Sequence, residues 1–173
     1  STETNGTCYV ASGSYNDTII LPRMVTLLGS GADTTIVTSR WYGAAFPATN
    51  SVVRGLSLQG GIYGAWLSGD SNVMDQCRFY SNAVGIYYAP PYYSGWRLTL
   101  TRSTVVSNTS YGIYANQGVL SLRNCLIAKN GDDGIQQLSD NAGRSTFFEY
   151  CTIVDNAGDG YEHTHNLQYP VVV

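Results

Sequence analysis

Short runs in which apolar side chains alternate with their neighbours recur along the chain. Cys77 and Phe79, Ser103 and Val105, Cys125 and Ile127, and Cys151 and Ile153 form pairs separated by one residue. Each pair ends three residues before an asparagine: Asn82, Asn108, Asn130 and Asn156. Side chains that alternate with a period of two belong to strands, and no window shows a sustained 3.6-residue stripe, which argues against a helical solenoid. The asparagines lie 26, 22 and 26 residues apart, and each is followed three or four residues later by a glycine. A period in the twenties is the signature of stacked structural units. Written out, the units read QCRFYSNAVGIYY, RSTVVSNTSYGIYA, NCLIAKNGDDGIQQ and YCTIVDNAGDGYEH.

The asparagine suits a turn between strands. It tolerates left-handed backbone angles, and its amide can bond locally and to its copy in the next coil. With coils about 4.8 Å apart, the four amides are expected to form a ladder. Gly85, Gly112, Gly134 and Gly160 are expected to allow the bend into the next strand, after which Ile86, Ile113, Ile135 and Tyr161 point inward again. The expected fold is all-β: a single parallel β-helix domain over residues 1–173, with about seven coils and an asparagine ladder.

These repeats resemble the right-handed parallel β-helix repeats of the pectate-lyase-like superfamily. Residues 13–38, GSYNDTIILPRMVTLLGSGADTTIVT, are similar to the opening of many such proteins, with a glycine-containing turn, a strand, a G-x-G turn and then Thr-Thr-Ile. The resemblance covers nearly the whole chain and implies a fold. Lyases, hydrolases, esterases, epimerases, phage adhesins and inert stalks share this scaffold, so activity must be read from the site. The Asp132-Asp133 pair matches one piece of the polygalacturonase pattern, whose two basic and histidine-containing pieces are absent. The acidic group has no basic partner of the kind calcium-dependent pectate lyases use, and the pectin methylesterase pattern is missing.

Composition narrows the partners. The formal charge is -3, charged residues make up 12%, and Lys129 is the only lysine, so a nucleic-acid surface has little support. No run of eighteen apolar residues exists to span a membrane. An extracellular or cell-surface setting is expected, with polysaccharide or a cell-surface glycan as partner. Cys77, Cys125 and Cys151 fall in one inward column, where free thiols act as small apolar fillers, and Cys8 has no obvious partner. Without C-x-x-C or paired histidines a structural zinc site is not expected.

Aligning Leu56 with Cys77 extends the repeat upstream and stacks Arg54, Asp75, Thr101, Arg123 and Glu149 in one exposed column. Arg54 then meets Asp75 and Arg123 meets Glu149, pairs that mainly hold register. The column two residues after each turn glycine is Trp66, Tyr87, Tyr114, Gln136 and Glu162. It is expected to face solvent as an aromatic strip on which sugar rings stack, with Gln136 and Glu162 as polar contacts. The segment 89–96, APPYYSGW, is an insertion that would fold over Tyr87 or deepen a groove beside it.

Asp133 and Asp159 occupy equivalent positions before Gly134 and Gly160, with Glu162 and His163 close by. Two carboxylates one coil apart would raise one pKa or recruit a cation, which suits acid/base work or Ca2+, and His163 would carry a proton. The same N-x-x-D-G pattern also builds ordinary turns in which Asp caps local amides. The terminal coils would expose strand edges, so either further chain completes them or they pair end to end with another copy. Three readings follow: a carbohydrate-binding or polysaccharide-associated module, a non-catalytic structural or adhesive solenoid, and a lyase or hydrolase centred on Asp133, Asp159 and Glu162.

Overall fold

The computed structural model describes residues 5–39, 43–47, 49–90, 96–139 and 146–165. Its described residues form three parallel seven-stranded sheets and no helix, and strands pair only with their counterparts three elements away in the chain. Sheet A begins with Gly6–Val10, sheet B with Gly13–Tyr15 and sheet C with Ile19–Leu21. The chain visits the sheets in the order A, B, C and returns to sheet A six times. Pairing each strand with its copies in the adjacent coils satisfies the backbone without hairpins.

The core is the lumen of this solenoid. Leu56, Leu58, Ala65, Leu67, Met74, Phe79 and Ile86 are fully enclosed, and Val105, Ile113, Ile127 and Ile135 continue the packing through later coils. Ile86, Ile113 and Ile135 point inward as the alternation predicts. Tyr161, their partner in the last described coil, is 36% exposed because none of the described coils lies beyond it to cover it. All four cysteines are free; Cys77 and Cys125 are buried. Burial pushes the Cys77 thiol up to about 12 and the Cys125 thiol to about 11, so both act as inert fillers.

The turn from sheet B to sheet C departs from expectation in one respect. The left-handed angle falls not on the asparagine but on the residue before it: Ser81, Ser107, Lys129 and Asp155 have φ of 54°, 55°, 56° and 56°. That turn swings the asparagine side chain inward and along the solenoid. The Nδ2 groups of Asn82, Asn108 and Asn130 donate to Oδ1 of the next asparagine at 3.2, 2.9 and 2.8 Å. Each Oδ1 also accepts a backbone N–H from the preceding coil, and Nδ2 donates to strand carbonyls such as Leu58, Phe79 and Val105. Polar groups inside a solenoid are tolerated when all are bonded in this way.

The turn glycines are needed for room, not for the bend. Among those expected to permit a bend, none has positive φ. A Cβ on Gly85 or Gly112 would instead stand within 2.8 Å of the asparagine amide of the next coil.

Candidate functional site

Sheet C carries the candidate site. Its strands Tyr63–Leu67, Val84–Tyr88, Ile113–Asn116, Ile135–Ser139 and Tyr161–His165 set the register that the glycine spacing implies. Trp66 pairs with Tyr87, Tyr87 with Tyr114, Tyr114 with Gln136, and Gln136 with Glu162. The column is thus continuous over five coils. Its exposure is uneven: Trp66 is 37% exposed, Tyr87, Tyr114 and Glu162 are half-buried, and Gln136 is only 7% exposed. The expectation that the whole column faces solvent is corrected at Gln136, which carboxylates and Thr164 enclose.

The rings are arranged differently from a flat platform. Tyr87 and Tyr114 stack on each other, with centroids 5.5 Å apart and planes 10° from parallel. Tyr63 lies 4.8 Å from Tyr87 at 35°, and Trp66 meets Tyr87 edge-on at 6.0 Å and 82°. Tyr111 leans on Tyr114 at 5.2 Å. The facing ring surfaces of Tyr87 and Tyr114 are therefore spent on each other, and these tyrosines offer edges and hydroxyls to a ligand. Burial, with the neighbouring Tyr114 phenol, raises the pKa of Tyr87; burial and the charge of Asp132 raise that of Tyr111.

Tyr63 and Tyr111 were missed in the sequence reading, although a signal was there. The residues immediately before the turn glycines are Tyr63, Val84, Tyr111, Asp133 and Asp159. This column changes from aromatic to acidic at the same coil as its neighbour, in which Tyr114 gives way to Gln136 and Glu162. Two adjacent columns thus divide one face into an aromatic half and an acidic half.

In the acidic half, Asp133 is 6% exposed and accepts the backbone N–H of Asp159 on Oδ1 at 2.7 Å. With its amide turned to face the carboxylates, Gln136 donates from Nε2 to Glu162 Oε2 at 2.5 Å and to Asp133 Oδ2 at 2.9 Å. Its Oε1 then accepts from Thr164 Oγ1 at 3.2 Å. Burial raises the pKa of Asp133, helped by Asp132 and Glu162 and opposed by the Asp159 amide. The charges that bear on Asp133 are thus Asp132 and Glu162; Asp159, expected as its carboxylate partner, contributes its backbone N–H instead. His163 pairs with Gln137 in the inward column, beside Tyr161 at 6.2 Å, on the opposite side of the strand from Glu162. Alternation separates it from the acids it was expected to serve. Among the described residues no group of three or more His, Cys, Asp or Glu could hold a metal ion.

The expected charge column on sheet A is in register: Arg54 with Asp75, Asp75 with Thr101, Thr101 with Arg123, and Arg123 with Glu149. Arg54 Nε lies 2.7 Å from Asp75 Oδ2, and Arg123 Nε lies 3.2 Å from Glu149 Oε2. Asp75, expected on an exposed column, is only 2% exposed because Arg102 also covers it, with Nε 2.9 Å from Oδ1 and Nη2 2.5 Å from Oδ2. Burial works against its charge, but hydrogen bonds from Arg102 and Thr101 and the charges of Arg102 and Arg54 hold the carboxyl below its usual range. Of the insertion 89–96, residues 91–95 lie outside the described residues.

Three parallel sheets wound round one apolar lumen, with in-register side-chain columns, define a β-helix solenoid. A family model described as "Right handed beta helix region" matches residues 36–171, and the chain belongs to that family, which also gives the hand of the coil. The search of curated proteins gave no match. Among solved structures, pectate lyase Pel9A is similar with a TM-score of 0.73 and 15% identity, over 92% of this chain and 52% of that one. Pectin methylesterase from carrot gives a TM-score of 0.64 at 14% identity, over 87% of this chain and 56% of that one. The Agl-KA catalytic domain gives 0.58 at 16%, over 90% and 35%. The chain thus spans about half or less of the lengths of these structures, and at such identities the likeness is one of fold. No helix among the described residues is long and apolar enough to cross a membrane.

Proposed function

We propose that this chain is an extracellular, polysaccharide-associated β-helix module that contacts glycan across sheet C. The observation that carries the reading is the unbroken register from Trp66 through Tyr87, Tyr114 and Gln136 to Glu162, with an aromatic half beside an acidic half. Trp66 is the most exposed ring of the strip and the best placed to take a sugar face. The tyrosines contribute ring edges and hydroxyls, and Glu162 accepts from sugar hydroxyls. The likeness in fold to a pectate lyase and a pectin methylesterase supports a link to polysaccharides. The test is a glycan-array screen of the folded chain, with and without Ca2+, repeated for Trp66→Ala and Tyr114→Ala. Binding that both variants weaken supports the strip; binding untouched by either rejects it.

A second reading, a structural or adhesive solenoid, is favoured by the mutual stacking of Tyr87 and Tyr114, which spends ring surface on the scaffold itself. It predicts silence on the same array. A catalytic reading ranks below both, since His163 lies across the strand from Asp133 and Glu162. It would require depolymerisation that disappears in Asp159→Asn.

A further inference from the structure

The acidic half of sheet C leaves the protein's positive charge concentrated elsewhere. Four of its nine basic residues, Arg54, Arg78, Arg102 and Arg123, stand along the corner where sheet A turns into sheet B. Arg54, Arg78 and Arg102 line a groove of about 460 Å³ whose other wall is the Gly29–Asp33 segment. A second groove, of about 310 Å³, continues from Arg102 to Arg123 and Asn124.

Charge accounting within the first groove favours an anion. Its three guanidinium groups outnumber the two carboxylates at hand, Asp33 on the wall and Asp75 behind the arginines. Asp75 engages Arg54 and Arg102 but not Arg78. Among the described residues Arg78 makes no ion pair; its guanidinium lies over the Tyr80 ring at 4.5 Å. A ring-backed guanidinium keeps in-plane N–H donors for an oxyanion. The ion pairs with Asp75 hold the other two heads in place, so part of the ordering cost of binding is met in advance.

The turn from sheet A to sheet B needs a left-handed residue, supplied by Gly55, Gln76, Arg102, Asn124 and Tyr150 with φ of 70°, 53°, 48°, 53° and 54°. Glycine or asparagine fits that conformation with least strain. Arg102 holds it in the coil where its head reaches back over Asp75 to the groove.

We infer that this corner groove binds an anionic group, a carboxylate or a sulfate ester, carried by a polysaccharide, with Arg78 and Arg102 as its principal contacts. The inference rests on the polysaccharide reading above but uses a different face from the aromatic strip.

The experiment uses matched polymers: polygalacturonate against its methyl-esterified form, and dextran sulfate against dextran, by affinity electrophoresis at low and high salt. The expected result is retardation by at least one charged polymer, at least tenfold weaker for its uncharged match, and lost at high salt. Arg78→Gln should weaken that binding about tenfold; Arg102→Lys, which keeps a cation beside Asp75, should weaken it by a smaller factor. Which charged polymer binds assigns carboxylate or sulfate. Equal affinity for charged and uncharged polymers, or charged binding unchanged in a folded Arg78→Gln variant, overturns the inference while leaving the polysaccharide reading standing. Binding of none of the four overturns the inference, and silence on the glycan array as well removes the reading beneath it. Charged binding that needs Arg78 but survives Trp66→Ala supports the corner groove as a site separate from the strip.

Discussion

A Cβ on Gly112 would stand 2.7 Å from Nδ2 of Asn130 in the next coil and 2.4 Å from the carbonyl oxygen of Gly134. The first of these neighbours is fixed by hydrogen bonds and the second is backbone, so neither can yield cheaply. Asn130 Nδ2 donates to Val105 O at 3.2 Å and to Asn156 Oδ1 at 2.8 Å. Glycine and asparagine are thus one device: the amide runs along the solenoid through the space that a side chain on the glycine would occupy. Gly112→Ala should destabilise by roughly 1–3 kcal/mol, the usual range for overpacking, read as a lower urea midpoint at unchanged slope. A midpoint equal to the parent's would show that the coils separate easily and that the close approach is not needed.

Removing the amide tests the same device from the other side. Asn130→Ala deletes the acceptor of the Asn108 backbone N–H at 3.2 Å and of Asn108 Nδ2 at 2.9 Å; Nδ2 keeps Phe79 O at 3.3 Å, but the buried N–H is left unbonded, and Val105 O loses its donor. A loss of about 2–4 kcal/mol is expected, since each stranded buried group costs about 1–3 kcal/mol. Hydrogen exchange should show protection lost at the amides of Asn108 and its neighbours in the two flanking coils. Uniform loss over the whole solenoid would argue against a local role.

Asp75 should give stability a definite acid limit. Its folded pKa lies below the ordinary carboxylate value. A depressed carboxylate contributes stability that is present above the unfolded pKa, about 3.9, and is lost as pH falls through the folded value. Asp75→Asn should therefore cost about 1–2 kcal/mol at pH 7, and that cost should shrink steadily as pH falls below about 3.9. Urea titrations of parent and variant through the acid range decide it: a gap that stays constant would assign the effect to shape and not to charge.

How much of this was legible in the sequence depends on which atoms carried the information. The columns were readable because stacking turns a one-dimensional repeat into a two-dimensional register: Leu56 aligned with Cys77 was enough to pair Arg54 with Asp75 and Arg123 with Glu149. Side-chain reach was not. Arg102 lies on the turn, outside any strand column, so its grip on Asp75 could not be read from strand alternation. Ring orientation was equally hidden: spacing places Tyr87 beside Tyr114, but only coordinates show the two planes facing each other. His163 was misjudged because adjacency in sequence was taken as adjacency in space, which strand alternation forbids.

Asp133 should behave in the opposite sense to Asp75. Its folded pKa is raised by burial and by the charges of Asp132 and Glu162. Its contribution to stability is fully present below the unfolded value of about 3.9 and is lost as pH rises through the folded value, so at neutral pH the ionised form is a burden. Asp133→Asn removes that charge while Oδ1 still accepts the Asp159 N–H; what it gives up is the bond from Gln136 Nε2, which keeps Glu162 Oε2 as its partner. The variant should be roughly 0.5–1 kcal/mol more stable than the parent at pH 7, with the advantage vanishing as pH approaches 3.9. Urea unfolding at the two pH values provides the comparison. A variant less stable than the parent at pH 7 would mean that the carboxylate's hydrogen bond outweighs the repulsion around it, which would make the Asp133 turn a purely structural cap.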